Sequence, residues 1–150
     1  MSALIDFPLD RRHRPAPLAH AGAGSAAGLI RQARAGVVEA QHEPDPAQRF
    51  ATAYLAALRA AAAMLALRGR PHRGRARPAS AWVLLTRLAP ELTEWAAFFA
   101  SCSAARAAVL AGVTSHVTQR TADDLVRQAA QFADIVAGAV AAHETSRPGG

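Results

Sequence analysis

Residues 77–100 read RPASAWVLLTRLAPELTEWAAFFA. Leu85, Leu88, Leu92, Trp95 and Phe99 recur in it at spacings of three and four. That is the period of an amphipathic helix, and the strict alternation of a half-buried strand is absent. Trp82 falls at the edge of the stripe, Pro90 roughly opposite it, and Ser80 is the expected N-cap. The proline leaves two readings open. One helix spans 80–100 with a kink, its freed backbone groups served by water on the outer face. Alternatively the helix breaks, and Pro90 opens a new one with Glu91 and Glu94 in its first turns.

The flanking sequence extends the same pattern. Upstream, Leu29, Ile30, Ala33, Val37 and Ala40 form one helical face after a Ser25 cap, and the helix runs to about His42. Asp45 followed by Pro46 is a cap and a first-position proline, opening a second helix over about 46–68 with Phe50, Tyr54, Ala57, Leu58, Ala61 and Leu65 on one side. Downstream, a short helix is expected over 103–111, ending at Gly112. Thr118 or Thr121 caps a last helix to about 142, with Leu125, Phe132, Ile135, Val136 and Val140 facing inward. The expected fold is therefore all-α: an up-and-down bundle of four long helices plus one short helix over 25–142. Residues 1–24, rich in proline and glycine, and 143–150 are expected to be flexible tails.

Composition agrees with closely packed helices. The chain of 150 residues is 51% apolar but only 5% aromatic, and alanine is abundant. Alanine costs little helix entropy and fills narrow gaps. The N-terminus lacks a basic segment followed by an apolar one, and no uninterrupted apolar run reaches the roughly 18 residues of a membrane span. Cys102, the single cysteine, excludes an internal disulfide and a cysteine-based zinc cluster. A cytoplasmic protein without membrane, metal or cofactor is the expectation.

Three segments resemble the SAV-type actinobacterial subfamily of HEPN domains (higher eukaryotes and prokaryotes nucleotide-binding). They are RFATAYLAALRAAAAMLAL (49–67), RPASAWVLLTRLAPELTEWAAFFA (77–100) and TADDLVRQAAQFADIV (121–136). The resemblance implies an all-α bundle that often forms a homodimer. It also implies relatives that cut RNA as toxins or partner a nucleotidyltransferase. The ribonuclease signature of such domains is an arginine followed, after four to six residues, by a histidine. His42, His72, His116 and His143 lack an arginine at that distance; Arg14 and His20 have it, but in the proline-rich tail. A displaced site would need His116 and an arginine such as Arg120 or Arg127 to meet across a dimer.

The candidate binding site is a basic loop. Arg68, Arg70, Arg73, Arg75 and Arg77 lie within ten residues, with His72 among them. The bundle outside it (25–67 and 78–142) carries eight arginines and eight acids, so the loop holds most of the formal charge of +6. Guanidinium forks fit phosphate oxygens, which points to RNA or another polyanion held by its backbone. No aromatic residue interleaves with the arginines to stack bases. The sequence also has no lysine, so codon usage accounts for part of the arginine content. Trp82, Trp95, Phe98 and Phe99 are expected in the core or at an interface. Asp123 and Asp124 suit a helix start, with Arg127 in reach of Asp123, and Arg87 stands four residues before Glu91. The expected role is a non-enzymatic binding module, acting through the 80–100 face and the arginine loop on a protein or nucleic acid.

Overall fold

The computed structural model describes residues 24–69 and 78–147. Among them are five α-helices and no strand: α1 (Ala26–His42), α2 (Pro46–Arg68), α3 (Pro78–Leu88), α4 (Thr93–Leu110) and α5 (Gln119–Ser146), with a 3-10 turn at Pro90–Leu92. Of the expected tails at 1–24 and 143–150, residues 1–23 and 148–150 lie outside the described residues, as do residues 70–77.

Local chemistry sets most of the boundaries. Ser25 Oγ accepts the Gly28 N–H at 3.0 Å and caps α1. Asp45 accepts from the Gln48 N–H at 3.0 Å, and Pro46 occupies the first turn of α2. Thr118 and Thr121 cap α5 reciprocally, each side chain accepting the other's backbone N–H.

Three expectations need correction, and one open choice is settled. First, α3 starts at Pro78, so Ser80 is its third residue and not its cap; a proline is well suited to open a helix. Second, of the two readings left open at Pro90 the structure shows the break: Ala89 leaves the helical region at φ −136°, ψ 71°, as is favoured for the residue before a proline. Third, no separate helix begins at 103. α4 is continuous over 18 residues, because Ser101 and Ser103 turn their hydroxyls onto the carbonyls of Phe98 and Ala100 within the helix. Gly112, at φ +90°, terminates it. The short member is thus α3, with 11 residues. Fourth, α5 runs to Ser146, since nothing before Pro148 forbids a helix.

α1, α2 and α5 pack together as one unit, and the α3–α4 pair packs on α2. α2 is the axis. Twelve of its 23 residues are buried, including Ala53, Ala57, Ala60, Ala61 and Ala63 at 0% exposure. It is long and apolar enough to cross a membrane by length and composition, but here it is wrapped by the other helices. The small side chains permit close approach: a Cβ added to Gly36 on α1 would stand 3.1 Å from the Ala56 Cβ on α2. The other half of the core is aromatic. Trp82 and Phe99 stack at 5.2 Å, and Phe99 meets Phe132 at 5.2 Å. Burying each such ring contributes about 2–3 kcal/mol. Ile135, expected inside, is 43% exposed.

Candidate functional site

Of the expected anion-binding residues, only Arg68 is described; Arg70, His72, Arg73, Arg75 and Arg77 lie outside the described residues. Arg68 does not stand ready for a ligand. It donates to the Leu88 carbonyl at 3.0 Å and pairs with the Glu91 carboxylate. The guanidinium therefore staples the end of α2 to the joint between α3 and the 3-10 turn. It holds the Glu91 carboxyl below its ordinary range, and the same hydrogen bond raises the Arg68 pKa. Glu91 thus pairs across the fold, and not with Arg87 four residues before it.

The aromatic candidates divide. Trp82 and Phe99 are core, at 2% and 0% exposure, and Trp95 is half-buried against Phe99 and Phe132. Phe98 alone protrudes, at 37%. The 80–100 segment therefore offers no aromatic docking face; its tryptophans hold the α3–α4 pair onto the bundle.

Chemically varied side chains meet at another place, where α4 and α5 stand apart. A cleft of about 250 Å3 opens there, lined among others by Phe50, Phe98, Leu125, Cys102, His116 and Asp124. Arg120 and Arg127 border an adjoining open depression, which shares Asp124. Arg127 is committed to Asp124, and Asp123 is taken by Arg49 at 2.5 Å. Arg127 thus prefers the carboxylate three residues before it to the one four before. Burial pushes the Cys102 thiol up, against a hydrogen bond with Ser101 that lowers it, so the group is a thiol near neutrality and a poor nucleophile. His116 is exposed on the loop between α4 and α5, while His42 is bonded through Nδ1 to the Val38 carbonyl at 2.9 Å. Arg14 and His20 lie outside the described residues, and no group of three potential metal ligands occurs among the described ones.

Three nonlocal arrangements escaped the sequence reading. Trp82 Nε1–H donates to the Tyr54 hydroxyl at 2.9 Å inside the core, and burial raises the phenol pKa. Arg106 lays its guanidinium 5.2 Å from the Tyr54 ring centre, a cation–π contact, with its Nε buried and unbonded. Arg49 donates to the Glu43 and Pro44 carbonyls at 2.9 and 3.0 Å besides pairing with Asp123, which locks the α1–α2 turn to the start of α5. No spacing in the sequence signalled the last, because Asp123 lies 74 residues from Arg49.

Comparison with known proteins gives a family and no closer relative. No curated protein and no solved structure matches the chain. The sequence model of the HEPN_SAV_6107-like HEPN family matches residues 40–137, from the end of α1 to within α5. The match includes α2, the α3–α4 break and the Thr118 cap, and the chain belongs to the HEPN_SAV_6107-like HEPN family.

Proposed function

We propose that this HEPN domain is a binding module, in which the helical bundle is a scaffold and the segment 70–77 takes RNA or another polyanion by its phosphates. The observation that carries the reading is where the charge stands. The described residues hold ten arginines against nine acids, and Arg34, Arg49, Arg68 and Arg127 are spent on ion pairs within the fold. The excess positive charge therefore stands largely with Arg70, Arg73, Arg75 and Arg77, between two anchored helices. Guanidinium groups so concentrated favour a phosphate backbone without reading its sequence.

Labelled single-stranded RNA, run with the purified protein on one native and one denaturing gel, tests this. A shift without shortening, fading with salt, is the expected result. Changing Arg70, Arg73, Arg75 and Arg77 together to glutamine should weaken binding and reduce the slope of log K against log salt by about three. Equal binding by that variant sinks the reading. If neither gel changes, RNA is not the partner, and a protein is sought next, for which a nucleotidyltransferase is the first candidate from the family resemblance. A second reading, a ribonuclease centred on His116, is favoured by the placement of His116 and Asp124 on one cleft. It requires shortened RNA, in the presence of EDTA, that disappears in His116→Ala.

A further inference from the structure

The cleft between α4 and α5 is lined mostly by carbon, and its polar groups are largely engaged already. Ser101 donates its hydroxyl to the Phe98 carbonyl, Thr121 belongs to the α5 cap, and Asp124 accepts from Arg127. A surface of that kind selects an apolar body. Two phenyl side chains, Phe50 and Phe98, favour an aromatic one, since rings meet well edge to face or offset. Phe98 is 37% exposed, so the core does not account for its ring. Size narrows the class further. A dry cavity of about 150 Å3 holds benzene, so the 250 Å3 of this cleft admits one ring or two fused rings.

The adjoining depression supplies the charge. Asp124 lines both, so the two are continuous. Asp123 is balanced by Arg49 and Asp124 by Arg127. Arg120 is left over: it lines the depression, is exposed, and has no acid partner among the described residues. It stands four residues before Asp124, on the same side of α5. α5 begins at Gln119, so the positive end of the helix dipole adds to that guanidinium. We infer that the cleft is a binding site for a small aromatic carboxylate, its ring against Phe50, Phe98 and Leu125 and its carboxylate on Arg120. A single negative charge matches the single unbalanced guanidinium, and the planar fork suits a carboxylate. A phosphate monoester would bring a second charge beside Asp123 and Asp124. An aromatic amine would meet Arg120 itself.

The inference goes beyond the polyanion reading and is independent of it, because Arg120 and Phe98 can be substituted with residues 70–77 intact. Cys102 provides the test. It lines the cleft and is the only cysteine of the chain, so its alkylation, read by mass spectrometry on the full chain, reports occupancy of this place alone. Naphthoate is the probe; naphthamide has the same rings without the charge, and naphthyl phosphate has a second charge. Saturating naphthoate should slow alkylation about tenfold, as a seated ligand covers most of its pocket, and should raise the thermal unfolding midpoint by several degrees. Naphthamide should do neither. Arg120→Gln, on the surface, should raise the half-protecting concentration about tenfold, the loss of a charge-assisted bond. Phe98→Ala should raise it as well. Arg31→Gln, which removes the same charge from the exposed face of α1, should leave it unchanged. Naphthoate that neither protects Cys102 nor raises the midpoint overturns the inference. So does equal protection by naphthamide, or in Arg120→Gln. Stronger protection by naphthyl phosphate or by single-stranded RNA also overturns it, and would turn the cleft into a phosphate or nucleic-acid surface.

Discussion

Tyr54→Phe isolates one buried hydrogen bond. The Tyr54 hydroxyl accepts from Trp82 Nε1–H at 2.9 Å, and the two residues are 0% and 2% exposed. Removing the oxygen changes almost nothing in shape and leaves an indole N–H without a partner where water has little access. A stranded buried donor costs about 1–3 kcal/mol. The ring contact between Tyr54 and Trp82, edge-on at 6.1 Å, is retained in the phenylalanine variant. We expect a loss of about 1.5 kcal/mol, in the middle of that range, which for a chain of this size lowers the melting temperature by about 5 °C. Urea unfolding followed by circular dichroism measures it. The double variant with Trp82→Phe should show a coupling of about 1 kcal/mol, because removing the donor relieves the penalty of the missing acceptor. If Tyr54→Phe unfolds within about 0.5 kcal/mol of the parent, or the coupling is nil, the hydrogen bond contributes nothing and the reasoning fails.

Three further outcomes follow from the same geometry. Arg49→Gln strips the two carbonyls of the α1–α2 turn and Asp123 of their donor; we expect a loss of about 1–2 kcal/mol in urea unfolding, discounted because Asp123 is 47% exposed. Arg68→Gln should leave RNA binding unchanged while speeding amide exchange at the end of α3, since its side chain holds Leu88 and Glu91; weakened binding would return Arg68 to the ligand site. Stability should fall in alkali. Burial raises Cys102 above its ordinary 9.0 and Tyr54 above its ordinary 10.0, so the fold prefers both neutral forms. Their contribution is complete below those values and is lost as pH climbs from there toward the folded ones. Cys102→Ser should flatten the first part of that decline in urea midpoint and Tyr54→Phe the second.

The sequence was legible wherever structure is decided within four residues. Ser25, Asp45–Pro46 and Thr118–Thr121 are local devices, and α1, α2 and α5 start where they stand. The break at Pro90 was one of two readings because a proline allows both, and packing decided between them. The helix expected to begin at 103 is part of α4, where Ser101 and Ser103 bond back onto carbonyls of the same helix, a contact that one dimension does not show. Ion pairing was the least legible. Arg49, Arg68 and Arg34 each choose acids far along the chain, 74, 23 and 100 residues away, which no spacing rule anticipates. The candidate site shifted for that reason: Arg68 looked like a loop residue among loop arginines until its partners appeared.

Both tryptophans of the chain, Trp82 and Trp95, sit in the α3–α4 pair, and α1, α2 and α5 have none. Their rings lie in the aromatic half of the core, against Phe99 and Phe132. Indole emission is therefore an intrinsic optical reporter of one docking event. It reads whether α3 and α4 are seated on the bundle and is blind to the alanine-packed unit of α1, α2 and α5. Far-ultraviolet dichroism weighs all five helices together. Any condition in which the two signals part company, one red-shifted while the other holds, would reveal a molecule whose α3–α4 pair has swung away from an intact three-helix remainder.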